Sequence, residues 1–134
     1  MQMNTQSICK KIGDSGCYFI SLLKLVNCDY AAIGLYQKAL AAKIIDEDCF
    51  VQDPAGLLAL AAGGQWDVRH ESANYQTKRN EWEILRFERK EATITYAHFV
   101  VGDGFGRVAY DPLDDSRTVA EGKLVSKRII TRLA

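Results

Sequence analysis

At 134 residues, with 48% apolar and 25% charged positions, the chain has the balance of one ordinary globular domain, expected to span residues 1–134. Its 17 basic residues cancel its 17 acidic ones without a polybasic run, which argues against nucleic acid or an anionic membrane as partner. No segment approaches the ~18 consecutive apolar residues of a membrane-spanning helix.

In chain order, Met1–Gln6 is polar and has no signal-peptide core, so a cytoplasmic location is expected, with phage-mediated or other unconventional export as the other route. Residues 1–12 read as an extended lead-in, with Ile8 and Ile12 on the core. Phe19, Leu22, Leu23 and Val26 then recur at offsets of three and four, one apolar face of a helix. Asp14 or Ser15 is the expected N-cap, which puts Cys17 in the first turn. The partial positive charge and unpaired N–H groups there favour a thiolate over a thiol. The Cys17 N–H is also placed to face an oxyanion. Gly-Asp-Ser-Gly at 13–16 is like the nucleophile loop of trypsin-type proteases. Ser15, however, precedes both histidines in a short chain, which excludes that match.

Asn27-Cys28-Asp29 breaks the helix, and a second is expected over Tyr30–Lys43 through Ile33, Tyr36 and Leu40. Ile45–Asp48 is an acidic turn, read as a solvated loop, with no metal expected. Asp53-Pro54 signals another helix start and Gly63-Gly64 its end, with Leu57, Leu58, Leu60 and Ala61 between.

The period then changes from helical to alternating. Trp66, Val68 and His70 share one face of a strand, where His70 is read as structural. Trp82, Ile84, Leu85 and Phe87 mark the next strand, ended by a charged turn at Glu88–Glu91. Ala97–Val101 and Arg107–Pro112 form a hairpin about Asp103–Gly106. Counted outward from Gly102 opposite Arg107, Val100 opposes Ala109 and His98 opposes Asp111, so imidazole and carboxylate are neighbours. Asp114–Ser116 makes a turn, and Lys127–Leu133 is a last strand or a capping segment. Helices first and antiparallel strands second is an α+β order, N-terminal helices packed on a C-terminal antiparallel sheet.

The 4 cysteines show neither CxxC nor Cys/His ligand spacing, so no zinc site or disulfide framework is expected. Cys9, Cys28 and Cys49 read as core or surface thiols. Cys17, His98 and Asp111 are instead a nucleophile, a general base and acid, and an orienting carboxylate. Gly16-Cys17 at a helix start, His98-Phe99-Val100-Val101 on a later strand and Asp111-Pro112 at a strand end resemble the papain-like cysteine peptidases. Among these they are closest in look to small bacterial members such as bacteriocin-leader-processing peptidases. The resemblance implies a papain-like fold and a thiol hydrolase that cleaves a peptide or related amide bond without a cofactor. Its substrate would be a peptide, isopeptide or cell-wall peptide. The family's oxyanion glutamine stands about half a dozen residues before the cysteine. Here that region holds Lys11, and the available glutamine is Gln6, 11 positions upstream. Two alternatives stand beside hydrolysis: a binding or regulatory module of the same fold with weak or no catalysis, and transfer to an amine acceptor. The substrate and the oligomeric state are left open by these residues.

Overall fold

The computed structural model describes residues 14–114 and 116–133. Within them α1 (Asp14–Leu25), α2 (Ala32–Ala41) and α3 (Pro54–Ala62) precede β1 (Trp66–Ser72), β2 (Trp82–Glu91), β3 (Ile94–Gly102) and β4 (Val108–Tyr110). A short α4 (Arg117–Glu121) leads into β5 (Lys123–Arg132). The strands form one antiparallel sheet in the order β1-β5-β2-β3-β4, so the α+β reading holds.

The helices follow their local chemistry with two adjustments. Rather than burying one stripe, α1 buries Cys17, Phe19, Ile20, Ser21, Leu22 and Leu23, because α3 and the sheet enclose it from different sides. Asp14 and Ser15 lie inside this helix, not before it, so the expected cap position is corrected; Cys17 is the fourth helical residue. The second helix is shorter than Tyr30–Lys43, because Asp29–Ala31 form a 3-10 turn and Lys43 adopts a left-handed φ of 60°. Its buried face is Ala32, Leu35 and Ala39, while Ile33 is exposed. Two small alanines let the helix lie close to its neighbours; Tyr36 and Leu40 pack half-buried against the same core, the Tyr36 ring edge-on to Phe19 at 6.0 Å, and only Ile33 of the expected face turns outward. For α3 the reading holds: Asp53 accepts a hydrogen bond from the Gly56 N–H at 2.9 Å, Pro54 opens the helix, and Gly63 at φ 72° closes it.

In the sheet, β2 runs straight through the charged stretch to Glu91, and the turn falls at Ala92-Thr93, with Ala92 at φ 54°. Strand pairing with Tyr96 and Ala97 overrides the polar composition of 88–91. The last strand begins at Lys123, earlier than expected, and lies between β1 and β2. The sheet therefore has two covered faces. Trp66, Val68, Ile84, Phe99 and Ile130 meet the helices in the main core. Leu85, Val100 and Ile129, of the opposite phase, are buried beneath α4 and the loops.

That second face also encloses an ion pair. Lys127 Nζ donates to Glu83 Oε1 at 2.9 Å, and both side chains are almost completely buried. Thr77 Oγ1 donates to the same oxygen at 2.6 Å, and the N–H groups of Gly104 and Gly106 donate to Oε2 at 3.0 and 2.9 Å. Burial pushes the Glu83 carboxyl up, but Thr77, Lys127 and the Gly106 N–H outweigh it, and its pKa lies below the ordinary glutamate value. One carboxylate thus ties the β3–β4 connection to the middle of the sheet.

Candidate active site

His98 and Asp111 meet, but not through the register counted from the sequence. Pairing between β3 and β4 is confined to Val101↔Tyr110 and Gly102↔Val108, with a bulge between them. Continuing the Val101↔Tyr110 register puts Val100 beside Asp111, two residues from the expected Ala109. A shift of two preserves the face on which each side chain stands, whereas a shift of one would have reversed it. Asp111 therefore still emerges on the imidazole's side, past the end of β4, and its Oδ1 lies 2.6 Å from His98 Nε2.

The carboxylate is held from three directions. Besides His98, the Leu113 N–H donates to Oδ1 at 2.9 Å and the Ser116 N–H to Oδ2 at 3.1 Å. Burial raises the Asp111 pKa, but the His98 hydrogen bond and the Leu113 N–H, followed by the imidazole charge and Ser116, bring it below the ordinary aspartate value. An ionised carboxylate only accepts, so Nε2 carries the proton, and in the neutral ring Nδ1 is left as the basic nitrogen. Nδ1 is itself buried and has no hydrogen-bond partner among the described residues. The pair is well sealed, with side-chain exposures of 2% for His98 and 7% for Asp111.

Cys17 is carried on α1, which lies against the Phe99 face of β3. The Tyr18 ring stacks on Phe99 at 4.5 Å, and Ser21 Oγ donates to the Phe99 carbonyl at 3.2 Å. Lys24 lies over the Tyr110 ring at 5.0 Å. Cys17, Ser21 and Lys24 are spaced four and three apart, so this stripe of α1 follows β3 toward β4. Phe99 and His98 point to opposite faces of their strand. β4 pairs with β3 only at Val101 and Gly102, so among the described residues no strand flanks that side of β3 from Ile94 to Val100. The Cys17 thiol is 1% exposed.

A cleft of about 740 Å³ borders the region, lined by Tyr18, Ala97 and Phe99, the sequence neighbours of Cys17 and His98. Burial, opposed by the charge of Arg128, pushes the Tyr18 phenol up to about 12. Phe50, Val51 and Val68 complete the apolar wall, and Arg86 and Arg128 lie among these residues. The sequence reading had not singled out either arginine, although a signal was present: each is in phase with an inward isoleucine, Ile84 and Ile130.

The remaining expectations sort as follows. Gln6, Lys11 and Cys9 lie outside the described residues. Cys28 is partly exposed, its thiol 3.4 Å from the Ala61 carbonyl, and Cys49 is buried. His70 is exposed and lines the cleft, away from the Asp111 pair. The acidic turn is organised by Asp46 accepting from the N–H groups of Asp48 and Phe50, each at 2.9 Å. No cluster of metal-binding side chains occurs among the described residues. No described helix is long and apolar enough to cross a membrane.

A family model described as "Protein of unknown function, DUF261" matches residues 1–132. No curated protein and no solved structure matches the chain.

Proposed function

The chain belongs to the DUF261 family, and we propose that it is a thiol hydrolase of papain-like architecture, cleaving a peptide or related amide bond with Cys17, His98 and Asp111. One observation carries the reading. A buried imidazole has one nitrogen engaged by an ionised aspartate at 2.6 Å, while its other nitrogen is buried without a partner among the described residues. An unmade buried hydrogen bond costs about 1–3 kcal/mol, so packing alone gives no reason to leave that nitrogen bare.

In the proposed reaction Nδ1 takes the Cys17 proton, and the thiolate attacks the carbonyl carbon. A C–S bond forms, and the carbonyl π electrons move to oxygen. The Cys17 N–H and Gln6 are the candidate donors to that oxyanion. Collapse expels the amine, which leaves with the proton from the imidazolium. Water then adds to the thioester as His98 removes its proton, and departure of the carboxylic acid restores the thiol. Asp111 holds the tautomer and supports the imidazolium throughout.

Labelling by iodoacetamide, read by mass spectrometry on the native protein, is the test. By exposure alone Cys28 alkylates first among the described cysteines, because Cys17 and Cys49 are buried. The proposal expects Cys17 to react ahead of Cys28 and His98→Ala to slow Cys17 alone. Labelling in order of exposure, unchanged by His98→Ala, refutes it. The burial of Cys17 and His98 favours a second reading, a non-catalytic binding module of the same fold, and that labelling result would select it.

A further inference from the structure

The cleft beside Tyr18 and Phe99 is lined by three arginines, of which two are paired with carboxylates. Of its arginines, Arg69 is paired with Glu71 and Glu81, and Arg86 with Glu88. Arg128 has no carboxylate partner among the described residues; its Nη1 donates to Ser126 Oγ at 3.0 Å and the Lys127 carbonyl at 3.4 Å. Burial, opposed by Tyr18 and reinforced by the like charge of Arg86, holds its pKa below the ordinary guanidinium value. Both guanidiniums lie over the Phe99 ring, Arg128 at 5.6 Å and Arg86 at 5.8 Å. A guanidinium spends little by lying half-buried on an aromatic face, yet most of its donors there await an acceptor. The one carboxylate in the lining is Asp48, on the helical side of the cleft.

We infer that this cleft is a subsite for a peptide carboxylate, received by the Arg128 guanidinium, with the apolar wall of Tyr18, Phe50, Val51 and Val68 covering the adjoining chain. One unneutralised cation suits a monoanion better than a phosphate dianion, and a planar fork matches a planar carboxylate. Because the cleft is flanked by the sequence neighbours of Cys17 and His98, the subsite would select acidic peptides for that thiol. This selection rests on the hydrolase reading, whereas the binding itself does not.

The test is calorimetric titration at low salt of the full chain carrying Cys17→Ser, which prevents turnover. Three acetylated peptides serve as probes: Ala-Glu-Ala amide, Ala-Ala-Ala with a free C-terminus, and Ala-Ala-Ala amide. One acidic peptide is expected to bind at least about tenfold tighter than the neutral one, the scale of a charge-assisted bidentate contact. Preference for the first identifies a side-chain carboxylate, and for the second a chain terminus. Arg128→Gln should remove the preference without weakening the neutral peptide. His70→Glu provides an independent variant: His70 is exposed and paired with Arg128 across β1 and β5, so a glutamate there should occupy the guanidinium. Equal affinity for all three peptides, or a preference surviving both variants, overturns the inference. An Arg128-dependent preference together with Cys17 labelling indifferent to His98 would sustain the subsite and sink the hydrolase.

Discussion

Asp111 is the residue on which the site turns, because it decides which nitrogen of His98 is available. Asp111→Ala removes the acceptor for the imidazole and for the N–H groups of Leu113 and Ser116 together. It should cost about 1–3 kcal/mol in urea unfolding, the penalty of donors left buried. It should also slow Cys17 alkylation, and Asp111→Asn should lower stability less while slowing the thiol comparably, because the tautomer is no longer enforced. Acid sensitivity belongs to the same scale. Asp111 and Glu83 both have folded-state pKa values below their ordinary ones. The unfolded chain therefore takes up their protons first, and their stabilisation is complete above the ordinary carboxylate range. Thermal midpoints followed by circular dichroism should be level from neutral pH to about 5 and fall as pH drops below about 4. Glu83→Gln should flatten that fall; an unaltered profile would mean that Glu83 is not one of the responsible groups.

Among the elements, the β3–β4 connection is the one whose placement depends on a buried charge. Glu83 binds Lys127, Thr77, Gly104 and Gly106, so it anchors the turn that leads to Asp111. Glu83→Ala leaves the Lys127 ammonium alone in the interior and should cost about 3–5 kcal/mol, while Glu83→Gln with Lys127→Met should recover much of it. A double variant no better than the single would show that the loop hydrogen bonds matter more than the charge. Gly102→Ala attacks the same anchor sterically. A Cβ there would stand 2.3 Å from Glu83 Oε2, an oxygen already fixed by two N–H groups. It should destabilise the protein, and it should disturb Cys17 labelling if the anchor positions Asp111.

Over the whole molecule, the last strand joins parts of the sheet that the chain order keeps apart. β5 pairs with β1 on one side and β2 on the other, and its neighbouring residues Ile129 and Ile130 bury into the two opposite faces. Ile130→Ala should cost about 2–5 kcal/mol, the usual range for emptying a core site. Ile94→Ala, at a position 54% exposed, should stay within about 0.5 kcal/mol in the same denaturation experiment. Comparable losses would mean that the sheet does not depend on the helical core for its stability.

Local chemistry carried a definite share of this architecture. Asp53-Pro54 and Gly63 bound α3 because capping acts within a few residues, and Trp66, Val68 and His70 announce a strand because side chains alternate with period two. The helices-then-strands order and the proximity of His98 to Asp111 were legible for the same reason. What needed the folded chain was every choice between distant partners. Nothing near residue 123 indicates that β5 inserts between β1 and β2, since that pairing joins segments more than 30 residues apart. The bulge that displaced the β3–β4 register, the rotation of α2 onto its alanines, and the turn beyond Glu91 were decided by neighbours absent from the local sequence. So was the placement of Arg128 over the Phe99 ring, without a carboxylate partner among the described residues, because strand pairing and packing set which charges meet.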